Sequence, residues 1–477
     1  MSAAAEPPRR GPGLSSRPAD PYRVGARGAP VGPGAAEAPA DPHAAVAAVA
    51  GGVSDGPLVT ADGRPLKGAL ARAGARSRRR AFLLVLPLLL FVLVTFIAPI
   101  GQMLMRSVTD PRFIEHTDVV SGETTPIMTG LRAWFDANPP GTEPDEAAYA
   151  ALVADLRLLG DLRAQGNVGT RINYDAPGSR SLFTSTTRRA DRLEPPFREA
   201  VLDVDEDWAD PRLWAAMRAA SDRYTAAFYL AALDLQRGVD GSIEGVGEQF
   251  AVYRMLFERT LILSVIITAL TLILGFPVAH LLATLPLRYS NLLMIFVLLP
   301  FWTSLLVRTT SWIVLLQSQG VVNDVAVAAG LIDDGSRLQM IYNQTGTVVA
   351  MTHILLPFTI LPLYSVMRPI DPSYVRAARS LGATSWTAFR RIYLPQTVPG
   401  IGAGALLVFI LAIGYYITPA LVGGSDGQLI SNLIAFHMQR SLNWSLAAAL
   451  AALLLGGVLV LYWLYDRLVG IDNLKLG

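Results

Sequence analysis

Residues 371–395 read Asp-Pro-Ser-Tyr-Val-Arg-Ala-Ala-Arg-Ser-Leu-Gly-Ala-Thr-Ser-Trp-Thr-Ala-Phe-Arg-Arg-Ile-Tyr-Leu-Pro, an order that suits a docking surface. Asp371 and Pro372 are helix-start residues: an acceptor for free N–H groups, then a ring whose φ is pre-set for the first turn. Tyr374, Ala377, Ala378 and Leu381 then fall on one face. Gly382 can adopt the left-handed conformation that ends such a helix. Thr384 or Ser385 can cap a second short helix carrying Trp386, Phe389 and Tyr393 on one side, and Pro395 closes the unit. The expected product is two short amphipathic helices at a glycine corner, with alanines small enough to let another surface approach closely.

Covalent chemistry finds no comparable set of residues. There is no cysteine, which excludes disulfides, thiolate catalysis and cysteine metal sites. No Gly-Lys pair occurs, so the phosphate loop lacks its lysine; no nucleophile elbow and no His-Glu-x-x-His helix is read. His43, His116, His280, His353 and His437 are scattered without metal-ligand spacing. Binding chemistry is more plausible inside the apolar runs. Arg308 lies in one of them, where a charge must face protein or water. It is read as a pathway residue or as a structural arginine near an interface. Trp302, Trp312, Tyr415 and Tyr416 offer aromatic faces on which cations sit well, and equally fit interfacial packing. His280 and His353 read as core histidines, and Gly400 and Gly404 as a close-packing pair.

The elements that position these residues are membrane spans. Charged residues make up 16% of the 477 and apolar ones 52%, against about 25% charged in an ordinary soluble domain. The net charge of +2 argues against nucleic acid as a partner. Residues 1–75 are rich in Ala, Gly and Pro and are expected to be disordered. Arg76, Arg78, Arg79 and Arg80 then meet an apolar run at 81–105, placing the N-terminus in the cytoplasm and a first span over 76–106. Five more spans are expected near 260–284, 291–315, 345–367, 397–420 and 445–467. Arg288, Arg368, Arg376, Arg379, Arg390 and Arg391 fall in loops that this count makes cytoplasmic, and the tail at 471–477 returns there too.

Residues 107–256 are polar and read as a mainly helical external insert. Tyr149, Leu152, Leu156 and Leu159 recur at helical spacing. Leu213, Met217, Ala220, Tyr224, Phe228, Ala231 and Leu235 predict a single helix of six turns, started by Asp210 and Pro211.

The loop resembles the coupling loop of binding-protein-dependent ABC permeases, whose pattern is Glu-Ala-Ala, three residues, Gly, nine residues, Ile, one residue, Leu-Pro. Ala377, Ala378, Gly382, Ile392, Leu394 and Pro395 stand in register, and Arg376 stands where the family has glutamate. The stretches 299–312, 320–323 and 414–424 resemble the spermidine/putrescine branch. The resemblance covers the first span and about 255–470. It implies an all-α integral membrane fold of six helices, with a permease domain over 257–470 in a bacterial inner membrane. It further implies a transport subunit rather than an enzyme, working by alternating access, with no cofactor of its own. Implied partners are an ABC ATPase dimer holding ATP and Mg, a second permease subunit, an external substrate-binding protein and membrane lipid. A polyamine or similar small organic cation is the implied substrate. Rival readings are another solute (an amino acid, an opine or an inorganic anion), a membrane sensor or assembly protein, and a membrane enzyme.

Overall fold

The computed structural model describes residues 66–469 apart from Val119. The expectations for residues 1–65 and 471–477, and with them the sidedness of the termini, lie outside the described residues. Within 66–75 the expectation of disorder is corrected: a helix begins at Leu66 and runs to Val92. The stretch 66–74 is alanine-rich, and alanine has the highest intrinsic helix propensity.

Among the described residues five helices are long and apolar enough to cross a membrane: Arg78–Arg106, Tyr253–Thr284, Gln344–Met367, Ser385–Gly414 and Trp444–Arg467. The expected third span is a pair, Leu287–Trp302 and Leu305–Ala328, bent by 98°. A straight span over 291–315 is thereby corrected to a broken one. Pro300 sits in a 3-10 turn at Leu299–Trp302, and Thr303 and Ser304 are extended at ψ 145° and 141°, so the helix must restart. Counting the pair as one gives six spans, as expected.

Prolines inside the other spans are absorbed locally. The first span widens into a π turn at Leu93–Ile97 just ahead of Pro99, and the fifth does so at Phe389–Tyr393 just ahead of Pro395. A π turn takes up the carbonyl that a proline cannot bond, so the helix continues. Pro395 therefore does not close the short helix at Ser385; that helix runs unbroken into the fifth span. The second, fourth and fifth spans pack on one another. Glycine makes this possible: a Cβ on Gly400 would stand 3.2 Å from Leu363 Cα, and one on Gly404 3.3 Å from the Thr359 carbonyl oxygen.

The insert closes a core of its own around Phe113, Leu131, Leu152, Leu156, Phe183 and Trp208, all fully buried. The helix Glu146–Asp161 buries Tyr149, Leu152, Leu156 and Leu159 as its spacing predicts. The six-turn helix over 213–235 is corrected. A helix at Pro211–Ala220, with Asp210 accepting from the Arg212 N–H at 2.8 Å, stops at Ser221. A short helix follows at Ala227–Ala232, and Leu235–Arg237 pairs antiparallel with Ile243–Gly245. The break arises because the backbone there is recruited elsewhere. Tyr224 pairs with Thr109, and the Thr225 N–H donates to the Val108 carbonyl at 2.8 Å. A second small ribbon joins Glu115–Thr117 to Thr124–Pro126.

The insert is fastened to the bundle. Phe228 and Ala232 pack with Leu256, Ile430, Leu446 and Leu450. Asp234, in the left-handed region at φ 57°, accepts from the backbone N–H groups of Val252, Tyr253 and Arg254, at 3.1, 3.1 and 2.6 Å. It thereby caps the second span from outside it, satisfying donors that a helix start leaves free.

Candidate functional site

The loop between the fourth and fifth spans is held from beneath and open above. Asp371 accepts from the Ser373 N–H at 2.7 Å and starts the helix Pro372–Ser380. Those bonds, with the charge of Arg376 nearby, hold the Asp371 carboxyl below the ordinary aspartate range. Gly382 turns the chain at φ 88°. Thr384 then accepts from the Thr387 N–H at 3.2 Å and caps the next helix.

Three anchors fix the loop to the bundle. Arg368 donates to the carbonyls of Ala283 and Leu285, at 2.6 and 3.1 Å. The Tyr393 hydroxyl and His280 Nδ1 share a hydrogen bond of 2.9 Å. Val375, Ile370 and Phe389 pack on a core that includes Ala279, Ile360 and Met367. The sequence marks Arg368 for topology alone and His280 as core; only the assembled spans bring both against this loop.

Among the described residues the opposite face has no cover. Leu381 is 89% exposed, Trp386 67% and Tyr374 55%. Of the residues in the family register, Arg376, Ala377, Gly382 and Pro395 are exposed and Ala378, Ile392 and Leu394 half-buried.

A second group gathers among the spans. The Trp312 indole N–H donates to His353 Nδ1 at 3.2 Å. The charge of Arg308 acts on both His353 and Tyr415, and among the described residues its Nε is buried without a hydrogen-bond partner. His353, bonded by Trp312, is exposed on this chain rather than buried in a core. Neither hydrogen bond nor ring contact among the described residues joins the side chains of Trp302 or Tyr416 to this group. Trp302 is 72% exposed and Tyr416 40%. The carbonyls of Tyr415 and Tyr416, freed where the fifth span ends, accept from Ser431 Oγ at 2.6 Å and Asn432 Nδ2 at 2.7 Å.

Among the described residues no group of three His, Asp or Glu side chains could hold a metal. The sequence does contain two Gly-x-Ser-x-Gly strings, 52–56 and 423–427. The second is no nucleophile elbow: it follows the helix Ile417–Val422 rather than a strand, and among the described residues the Ser425 hydroxyl bonds only Asp426, at 3.2 Å.

Comparison with known proteins bears on the same region. Residues 271–470 match the family described as binding-protein-dependent transport system inner membrane component. The spermidine/putrescine transport system permease protein PotB of Salmonella typhimurium (strain SL1344) is 34% identical over 221 residues, covering 46% of this chain and 76% of that protein. Its counterpart in Haemophilus influenzae is 32% identical over 225 residues, covering 47% and 78%. A solved structure, described as a bacterial ABC transporter involved in the import of the acidic polysaccharide alginate, is 22% identical and overlays at a TM-score of 0.39. It covers 48% of this chain and 81% of that one, a likeness too weak to bear on substrate.

Proposed function

The chain belongs to the family of binding-protein-dependent transport system inner membrane components, and from that premise we propose that it carries polyamines or a related small organic cation. It is an ABC-type inner-membrane permease subunit of a small-molecule importer, a transport subunit and not an enzyme. The polyamine reading is supported by relatives whose names specify spermidine and putrescine. In this reading the loop at 371–395 docks on a separate ATPase in the cytoplasm, the insert lies on the external face, and a second permease and a binding protein complete the assembly.

The observation that carries the coupling role is the open face of the loop, where Leu381, Trp386 and Tyr374 stand in solvent on an otherwise braced element. Large apolar side chains held out on a rigid support mark a protein contact. Transmission follows from continuity. The helix Ser385–Gly414 has 30 residues, about 45 Å at 1.5 Å per residue. Its first turn carries Trp386, so a pull on the loop displaces the fifth span as a unit. That span slides on the fourth through the small surfaces of Gly400 and Gly404.

The test is uptake of labelled spermidine by the assembled transporter in proteoliposomes with its binding protein, comparing wild type with Gly382→Leu. A Cβ on Gly382 meets nothing within 4 Å. The substitution therefore costs about 1–2 kcal/mol of local backbone strain and leaves the spans intact. The expected result is normal insertion, with uptake and substrate-stimulated hydrolysis lost together. Full uptake by the variant would remove the coupling role. A second reading, an importer of an anionic solute, is favoured by the unpaired Arg308 Nε among the spans. Competition by unlabelled polyamine against unlabelled organic anions separates the two.

A further inference from the structure

The cytoplasm-facing loop has a charge pattern as well as an apolar one. Arg376, Arg379, Arg390 and Arg391 are all exposed, and among the described residues none of them forms an ion pair. Asp371, the only acidic residue between 368 and 395, is engaged at the Ser373 N–H.

Helix geometry sorts these arginines. At 100° per residue, the side of Pro372–Ser380 that holds Val375 faces the bundle, because Val375 packs on its core. Arg379 lies within about 40° of Val375 on that wheel. Arg390 and Arg391 sit at the foot of the fifth span, in the π turn Phe389–Tyr393. Arg376 is about 100° from Val375, toward the outward side that also carries Ala377 and Ser380, both exposed. Leu381 follows at the corner, 89% exposed. Arg376 and Leu381, about 140° apart on the wheel, therefore flank the outward alanine, Ala377, on its two sides.

We infer that the ATPase groove receiving this loop presents a carboxylate to Arg376 beside an apolar slot that takes Leu381. The inference rests on the coupling reading above. Charge complementarity selects the partner group: a guanidinium desolvated on docking costs several kcal/mol unless it meets a charged acceptor, and a carboxylate matches its planar fork. A nearly bare leucine on the far side of the same outward alanine suits a protein groove better than a lipid headgroup layer, which would offer Arg376 phosphate but give Leu381 no apolar contact short of the acyl chains.

The experiment uses the complete transporter, with ATPase, second permease and binding protein, in proteoliposomes. Three variants are compared: Arg376→Glu, Arg376→Lys and Leu381→Asp. Arg376→Glu should lower uptake by about tenfold or more, since it sets two carboxylates face to face. Arg376→Lys should retain most activity. It also introduces an amine into a chain whose only other lysines are Lys67 and Lys475. A carbodiimide should then join that amine to an Asp or Glu of the ATPase as an amide, the activating group leaving as a urea, and peptide mapping identifies the acid. Exchanging that acid for arginine should restore uptake to Arg376→Glu. If Leu381→Asp abolishes uptake while Arg376→Glu stays within about twofold of wild type and no crosslink forms, docking stands and the carboxylate is refuted. If activity of Arg376→Glu falls only in anionic-lipid vesicles and the crosslink is absent, the partner is lipid and the inference fails. Normal uptake by both Leu381→Asp and Arg376→Glu would overturn the coupling reading itself.

Discussion

The insert and the membrane bundle expose opposite kinds of residue. In the insert the large apolar groups point inward, with Trp208, Phe113 and Leu152 fully buried, and the chain between 107 and 252 carries 24 acidic against 14 basic side chains. In the second span Thr260, Ser264, Thr268, Thr271 and Gly275 are buried alongside Leu263 and Ile267, while Val265, Ile273 and Leu274 face outward at 57%, 66% and 51% exposure. The inversion follows from the solvent. Water drives leucine and tryptophan inward, whereas acyl chains are as apolar as leucine and leave close packing and hydrogen bonds to hold helices together. The two regions thus obey different rules within one fold, joined where Asp234 caps the second span.

That contrast predicts where substitution hurts. Trp208 donates to Thr186 Oγ1 at 2.9 Å, and its carbonyl accepts from Trp214 at 2.8 Å. Trp208→Ala should cost the insert about 3–5 kcal/mol, seen as early proteolytic cleavage within 107–252. Trp463→Ala, at a site 62% exposed on the sixth span, should leave cleavage unchanged. Equal sensitivity at the two tryptophans would erase the distinction.

In the bundle the same logic moves the cost to small residues. Gly400→Val places a Cβ 3.1 Å from Val366 Cβ and 3.2 Å from Leu363 Cα, and overpacking of this kind costs about 1–3 kcal/mol. Gly456, with nothing within 4 Å, is the matched control. Thermal unfolding in detergent should drop for Gly400→Val and hold for Gly456→Val.

The junction should show an intermediate effect. Asp234→Ala removes a cap worth about 1–2 kcal/mol and should raise hydrogen exchange at residues 252–254, with Asp234→Asn partly restoring protection. Unchanged exchange would mean that the insert does not support the span.

The smallest effect is electrostatic. Asp155 is buried, which pushes its carboxyl above the ordinary aspartate range, against the pull of N–H donors from Leu131 and Gly130. A raised folded-state value means that the folded insert holds the proton more tightly than the unfolded chain. Its stability contribution is greatest below the unfolded aspartate value and declines as pH rises through the raised one. Asp155→Asn should flatten that acid-side slope in urea unfolding of the full chain, and an unaltered slope would clear Asp155 of the effect.

The spans were legible because runs of about 20 apolar residues mark them without regard to packing. The cut in the third span was not, since Pro300 and Ser304 hardly alter the hydropathy of an apolar run. Periodicity also continued the helix from Leu213 past Ala220, because it cannot register that Tyr224 pairs with Thr109, more than a hundred residues earlier. The order of the loop at 371–395 was readable from Asp371, Gly382 and Thr384, each acting on its near neighbours. Its bracing was not: Arg368 reaches Ala283, and His280 reaches Tyr393, only once the spans are assembled. The same holds for His353, whose partner Trp312 is 41 residues away.

An importer of this design needs the insert and the loop on opposite faces of the membrane. The chain has no cysteine, so single thiols can be placed without background at Ser242→Cys, in the exposed ribbon of the insert, and at Ser380→Cys, beside Leu381. The measurement is labelling by a membrane-impermeant maleimide, before and after opening the inner membrane. Labelling of the Ser242→Cys variant should need no opening of that membrane, and labelling of the Ser380→Cys variant should require it. Labelling of both from the same side would contradict the six-span permease and the coupling role built on it.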